Sequence, residues 1–135
     1  MIELIVGDKG SGKTKAMIDM INKSAESISG RIVCIEKGMK STYNIKSSVR
    51  LIDTDDYAIK GYEMFYGFFS GVLAGDYDIE EVYIDGVLKI GGGDVDALGL
   101  LLDRISEVAK DSLKVVVTVS TDLENLTESV KKYLK

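Results

Sequence analysis

One glycine-rich stretch constrains this chain more than any other feature of its sequence. Residues 7–14 read Gly-Asp-Lys-Gly-Ser-Gly-Lys-Thr, which is the pattern G-x-x-x-x-G-K-T. The apolar run at residues 2–6 before it predicts a buried strand, and apolar residues at helical spacing after it predict a helix. A loop of this pattern between a strand and a helix is typical of the phosphate-binding loop, or Walker A motif.

The residue types in this loop suit a polyphosphate. Glycines let backbone N–H groups turn into one concavity, and the following helix adds its unpaired N–H groups and positive dipole end. We expect Lys13 to contact the β- and γ-phosphates and Thr14 to bind Mg²⁺ through its hydroxyl. The alternative is a glycine-rich turn that only joins a strand to a helix. The predicted nucleotide-binding residues are Gly7, Asp8, Lys9, Gly10, Ser11, Gly12, Lys13, Thr14 and Lys15.

A second candidate residue, Asp85, ends the apolar run at residues 82–84. An acidic residue at the carboxyl end of a buried strand, downstream of a phosphate-binding loop, matches the Walker B pattern. We expect Asp85 to face the loop and to hold a water on Mg²⁺, which makes Thr14 and Asp85 the predicted metal-site residues. The alternative is an aspartate that only begins a turn.

Predicted strands and helices alternate along the chain. The strands are predicted at residues 2–6, 31–35, 49–52, 80–85 and 113–119, and the helices at residues 15–28, 57–74, 94–110 and 123–134. This order predicts an α/β fold over a single domain, residues 1–135, with three layers α/β/α around a mainly parallel five-stranded sheet. Ligands of such sheets lie at the carboxyl ends of the strands. The residues predicted at that edge are Lys13, Glu36, Asp53, Asp85 and Ser120.

Three other segments carry weaker predictions. Residues 39–48 are polar and irregular, and residues 86–93 predict a flexible loop before a helix capped by Asp94 or Asp96. Glycines recur every fourth residue at positions 67, 71 and 75 in the aromatic segment. Such a stripe on a helix lets the backbone of a neighbour approach closely. It predicts either a core helix packed tightly on the sheet or a surface that binds a partner or a substrate.

The composition narrows the range of functions. A net charge of −5 argues against non-specific nucleic-acid binding. The chain has no histidine, which excludes a histidine-based catalytic triad and removes the commonest metal ligand of proteins. We expect the single cysteine, Cys34, to be a buried core residue. No signal peptide precedes the first strand and no apolar run approaches the roughly 18 residues of a membrane span, so we expect a cytoplasmic protein.

With both motifs in place, the chain resembles the P-loop NTPase superfamily over nearly its whole length. It is most similar to a minimal RecA-like core, and it is similar to a group of small uncharacterised bacterial ATP-binding proteins. The Asn-Lys-x-Asp segment that reads guanine in GTP-binding proteins is absent, as are the arginine-bearing lid of small-molecule kinases and the zinc cysteines of type II thymidine kinases. The resemblance therefore implies ATP as the ligand and Mg²⁺ as the cofactor.

The resemblance also implies a catalytic base. RecA-like ATPases commonly carry a glutamate directly after the acidic residue of the second motif, and here that residue is Gly86. In some RecA-like enzymes the glutamate ends the strand after the first helix, which is the place of Glu36. We therefore take Lys13 and Glu36 as the candidate catalytic residues, the alternative for Glu36 being a solvent-facing strand-end glutamate.

Three functions stay open on the sequence. The first is a slow ATPase acting as a switch or small motor subunit, to which a neighbouring copy or a protein partner supplies an arginine, because the chain has only three. The second is a nucleotide-binding module with negligible turnover, whose loops at residues 37–48 and 86–94 respond to the γ-phosphate. The third is a small-molecule phosphotransferase whose aromatic segment, residues 57–74, forms part of the acceptor site.

Overall fold

A five-stranded parallel sheet forms the centre of the computed structural model, which describes residues 1–39 and 44–134. The strands are β1 (Ile2–Gly7), β2 (Arg31–Glu36), β3 (Arg50–Asp53), β4 (Ile79–Asp85) and β5 (Lys114–Ser120). Their order is β1-β5-β4-β2-β3, and every neighbouring pair is parallel. The predicted α/β class and five-stranded sheet are therefore confirmed.

Helices cover both faces of this sheet. They are α1 (Lys13–Ala25), α2 (Gly61–Ala74), α3 (Val87–Ile90), α4 (Leu98–Val108) and α5 (Glu128–Lys131), with 3₁₀ turns at Thr54–Tyr57 and Leu123–Asn125. Alternate residues of a strand point to opposite faces. Tyr83 accordingly packs with Met17 of α1, whereas its neighbour Val82 packs with Phe65 of α2 in the opposite core. These two cores make the three layers α/β/α.

All four predicted helices are longer than those of the structure, and α2 and α4 begin at Gly61 and Leu98 rather than at residues 57 and 94. Helix α1 ends at Ala25, and the N–H of Ile28 bonds back to the Ser24 carbonyl oxygen beyond the helix. The helix predicted at residues 123–134 is instead a 3₁₀ turn followed by the single turn of α5. Leu126 between them has extended backbone angles and is buried, which interrupts the helix while placing this leucine in the core.

The predicted flexible loop at residues 86–93 is also corrected. It contains the one-turn helix α3, three of whose four residues are buried. The turn that follows is held by Tyr62, whose ring lies directly over Gly91 and whose hydroxyl donates to the Asp94 carbonyl oxygen over 2.9 Å. Neither predicted cap, Asp94 or Asp96, caps the next helix, whose N-cap residue is Ala97. The Asp94 carboxylate instead accepts the N–H of Ala97 over 3.0 Å, just before the helix.

The glycine stripe of α2 does not make the predicted close contact. Apart from its chain neighbours and the backbone of α2 itself, a Cβ atom added at Gly67 or Gly71 would have no atom of the described residues within 4 Å, and both glycines are exposed. Helix α2 packs on the sheet through Phe65 and Phe69, which are fully buried. The large aromatic side chains therefore anchor this helix, and the glycines lie on its outer side.

Two further predictions concern the α1 face. The irregular stretch at residues 39–48 includes positions 40–43, which lie outside the described residues, and within the remainder Ile45 is buried in the core beside α1. Cys34 is a free, buried core residue as predicted, and burial raises the pKa of its thiol to about 12. No helix in the described ranges is long and apolar enough to cross a membrane.

Candidate functional site

Among the described residues, backbone N–H groups of the loop between β1 and α1 lack internal acceptors. Gly10 and Gly12 have φ angles of 86° and 90°, a left-handed conformation that only glycine adopts readily. The Ser11 N–H closes the turn by donating to the Asp8 carbonyl oxygen over 3.0 Å. Within the described chain, no side chain caps α1 and its first turn holds no acidic residue. Its first N–H groups and positive dipole end are thus available to an outside anion.

Lys13 places a buried ammonium group beside this helix terminus. The residue is only 8% exposed, and its Nζ donates to the Asp8 carbonyl oxygen over 2.8 Å. An ammonium has three donors, and a buried charge is costly unless it is paired and hydrogen-bonded. A bound anion would supply the remaining acceptors and the opposite charge.

A cleft of about 410 Å³ opens beside the loop. Its lining, among the described residues, consists of Lys9, Gly10, Gly12, Lys13, Thr14, Lys15, Glu36, Asp85, Gly86, Lys89 and Ser120. Four of these residues are lysines and two are acidic, so the cleft is cationic in a chain whose net charge is −5. A cleft lined mainly by one sign of charge concentrates ligands of the opposite sign.

Three predicted nucleotide-binding residues lie outside this lining. A Cβ atom at Gly7 would lie 2.6 Å from Ser11 Oγ, so these two residues pack together and shape the loop. The side chain of Asp8 lies beside Asp122, and this carboxylate neighbour raises the pKa of Asp122. The other six residues of the predicted set, together with Glu36 and Asp85, are brought to the same cleft.

Two hydroxyl groups hold the Asp85 carboxylate, which is 5% exposed. Its Oδ2 accepts from Thr14 Oγ1 over 3.1 Å, and its Oδ1 accepts from Thr118 Oγ1 over 2.6 Å. Thr118 Oγ1 in turn accepts the N–H of Gly86 over 2.7 Å. These bonds link Asp85 to Thr14 at the start of α1. They do so across β5, because this strand lies between β1, which leads into α1, and β4, which ends at Asp85.

Sequence reasoning missed two residues of this site, Thr118 and Lys89. Thr118 is fully buried and is the one polar residue between Val115 and Val119, a pattern that signals a buried hydrogen-bond partner. Lys89 is the one charged residue of the run Val87–Ile90, which made it detectable as the exposed position of an otherwise buried segment.

We expect Thr118→Val to lower the free energy of unfolding by about 1–3 kcal/mol, the cost of leaving a buried donor or acceptor without its partner. The substitution keeps the shape of the side chain but removes the acceptor of the Gly86 N–H and a donor to Asp85. Urea denaturation followed by circular dichroism measures the change. If the hydroxyl had no role, valine at this fully buried position would leave stability unchanged or raise it.

Glu36 lies next to Asp85 at the carboxyl edge of the sheet. It ends β2, pairs in register with Asp85 of β4 and with Asp53 of β3, and lines the cleft. Three acidic residues thus end adjacent strands, and two of them border the cleft.

Asp53 fixes the segment that follows Glu36. Its carboxylate accepts the N–H groups of Gly38 and Met39 over 2.9 and 3.0 Å, and that of Asp55 over 2.9 Å. These donors, that of Asp55 foremost, lower the pKa of Asp53. Lys37 also pairs with Asp55 over 2.7 Å, so the chain leaving β2 is tied to the end of β3.

A second cleft, of about 760 Å³, adjoins the first through Lys89 and Ser120. Its lining among the described residues is Lys37, Gly38, Asp55, Leu88, Lys89, Gly92, Gly93, Val95, Ser120 and Thr121. The aromatic segment at residues 57–74, predicted as part of an acceptor site, contributes no lining residue to either cleft.

The oxygen atoms of Thr14 and Asp85 fit a magnesium ion that is also bound by phosphate. Magnesium in nucleotide sites commonly takes one or two protein oxygens and fills its remaining positions with phosphate and water. The Thr14 hydroxyl and the Asp85 carboxylate are hard oxygen ligands 3.1 Å apart. No group of three or more histidine, cysteine, aspartate or glutamate side chains in the described ranges is arranged to hold a metal by itself.

Comparison with known proteins assigns the chain to no family. No protein-family model matches the sequence, and no curated protein matches it significantly. Its function is therefore inferred from the residues of the cleft.

Proposed function

We propose that this protein binds ATP with Mg²⁺ in the cleft beside residues 7–14 and hydrolyses it slowly, as a switch or small motor subunit. The observation that supports this most is the meeting of an uncapped helix terminus, a buried Lys13 ammonium and the Thr14–Asp85 pair in one cationic cleft. Each of the three meets a different need of a triphosphate: hydrogen-bond donors, positive charge and oxygen ligands for the metal.

In this proposal the N–H groups at the start of α1 bind phosphate oxygens, and Lys13 pairs with the β- and γ-phosphates. Thr14 and Asp85 would hold the Mg²⁺ ion through their side-chain oxygens. Bound Mg²⁺ supplies neutralisation of the charge that develops on the phosphates. Titration of the protein with Mg-ATP by isothermal calorimetry, followed by a phosphate-release assay, tests binding and hydrolysis separately.

The arginines of this chain do not serve the site. Arg31 and Arg50 begin β2 and β3, at the opposite edge of the sheet from the cleft, and Arg104 pairs with Glu63 on the surface. None of the three lines the cleft. An arginine that stabilises the transition state would therefore come from a second copy or a partner protein.

We expect Glu36→Gln to lower the rate of phosphate release about a hundredfold or more while the affinity for Mg-ATP stays within a factor of about three. A positioned base contributes roughly 10²–10⁴-fold to rate, and glutamine keeps the size of the side chain but cannot take a proton. Single-turnover phosphate release measures the rate, and calorimetry measures the affinity. Unchanged turnover in Glu36→Gln would remove Glu36 from the catalytic role.

The second cleft favours phosphotransfer as an alternative function. A volume of about 760 Å³ lies within the range that small-molecule sites occupy, and this cleft meets the first at Lys89 and Ser120. ADP formation that requires an added metabolite would support this alternative. Phosphate release from ATP alone supports the ATPase, and tight binding without release supports a regulatory module without turnover.

A further inference from the structure

Helix α3 presents one lysine to the cleft from a fixed position. Its other three residues, Val87, Leu88 and Ile90, are buried in the core, whereas Lys89 is exposed and lines the cleft. A one-turn helix anchored by three buried side chains cannot rotate without exposing them. The position of Lys89 relative to the sheet is therefore set by the core.

The side chain of Lys89 lies against the residue that follows Asp85. Its Cδ atom is 3.6 Å from the point that a Cβ atom on Gly86 would occupy. The Gly86 N–H is itself bonded to Thr118, which donates to Asp85. The stem of Lys89 thus lies over Gly86, whose N–H is linked through Thr118 to the carboxylate of the predicted metal site.

The ammonium of Lys89 differs from those of two other lysines in the cleft, Lys13 and Lys15. Lys13 bonds to the Asp8 carbonyl oxygen, and Lys15 pairs with Asp19 over 3.3 Å. The ammonium groups of Lys89 and of Lys9, the fourth lysine of the cleft, make no hydrogen bond and no ion pair with the part of the chain that is described. The charge of Lys89 is thus available to a ligand.

We propose that Lys89 binds the terminal phosphate and makes this site distinguish a nucleoside triphosphate from a diphosphate. The inference rests on the proposed function. The phosphate-binding loop, the Thr14–Asp85 pair and Lys89 line the same cleft, and Lys89 also lines the second cleft, which adjoins it. In this proposal the phosphate chain starts on the loop, passes the metal site and ends at Lys89. Lys89 then supplies the cation that no arginine of this chain supplies.

The test compares Lys89→Met with Lys110→Met, which removes an exposed lysine that lines neither cleft. Calorimetry measures the affinity of each variant and the parent for Mg-ADP and for the non-hydrolysable triphosphate AMP-PNP with Mg²⁺. We expect Lys89→Met to lower the triphosphate affinity about ten- to a hundredfold, the usual effect of one hydrogen bond to a charged group, and to change the ADP affinity less than about threefold. Lys110→Met should change neither affinity.

The possible failures are distinguishable. Equal losses for both nucleotides in Lys89→Met, or no loss for either, would overturn the assignment of Lys89 while leaving nucleotide binding in place. A parent protein that binds neither nucleotide would overturn the proposed function, and the role of Lys89 with it. A thermal unfolding midpoint shared by the variants and the parent shows that the fold is retained, as expected for substitutions of exposed residues.

Discussion

We expect Lys13→Ala to lower the affinity for Mg-ATP about ten- to a hundredfold, because it removes a charge-assisted contact worth roughly 1.5–3 kcal/mol. The fold should not lose stability. The Lys13 ammonium is buried with a single hydrogen bond to the Asp8 carbonyl oxygen, so its removal relieves a poorly paired buried charge. Calorimetry with Mg-ATP and thermal unfolding without nucleotide measure the two effects.

Lys60→Ala is the control for this experiment, because Lys60 is exposed and lines neither cleft. It should bind Mg-ATP like the parent. Equal affinities of Lys13→Ala and the parent would contradict the assignment of the whole loop, since no other ammonium is buried beside the start of α1 in the part of the chain described. A lower affinity together with an unfolded protein would instead indicate a structural role for Lys13.

In the parent, Mg²⁺ should raise the affinity for ATP. We expect Asp85→Asn to reduce this enhancement, the ratio of the affinities with and without Mg²⁺, about tenfold or more. Asparagine keeps the shape of the side chain and can still bond to Thr14 and Thr118, but it lacks the negative charge that favours a divalent cation. Calorimetry with ATP in Mg²⁺ and in EDTA gives the enhancement for each variant. The exposed Asp96, substituted by asparagine, is the matched control. An enhancement as large in Asp85→Asn as in the parent would exclude Asp85 from the metal site.

The sequence predicts the sheet well, for a physical reason. A parallel sheet is buried on both faces, so its strands are nearly continuous apolar runs that stand out between polar turns. The run at residues 113–119 and strand β5 (Lys114–Ser120) differ by one residue at each end. The helices are harder to predict at their ends, because α3 and α5 each consist of a single turn and carry too few residues for a helical period.

The glycines of α2 show a different limit of sequence reasoning. A four-residue glycine repeat indicates which residues share a side of a helix, but not whether a neighbour covers that side. Here Phe65 and Phe69 determine the orientation of α2, and Gly67 lies on the exposed side.

The residues of the candidate site also differ in how well the sequence predicts them. Residues 7–14 and Asp85 are detectable because each belongs to a local pattern. The local pattern shows that Thr118 is a buried polar residue and that Lys89 is an exposed one, but not what they contact. Those contacts depend on β5 lying between the strands that carry the two motifs, and strand order is a property of the whole sheet. Lys89 further depends on a turn of helix after Asp85 that the glycine-rich sequence does not predict.

The central claim is that the N–H groups of the loop at residues 7–14 and the Lys13 ammonium hold a polyphosphate. A crystal structure of the protein with Mg²⁺ and AMP-PNP tests this most directly. We predict phosphate oxygens within hydrogen-bond distance of the loop N–H groups and of Lys13 Nζ, with the metal beside Thr14. A cleft filled by the protein's own side chains, or an analogue bound elsewhere, would contradict the claim.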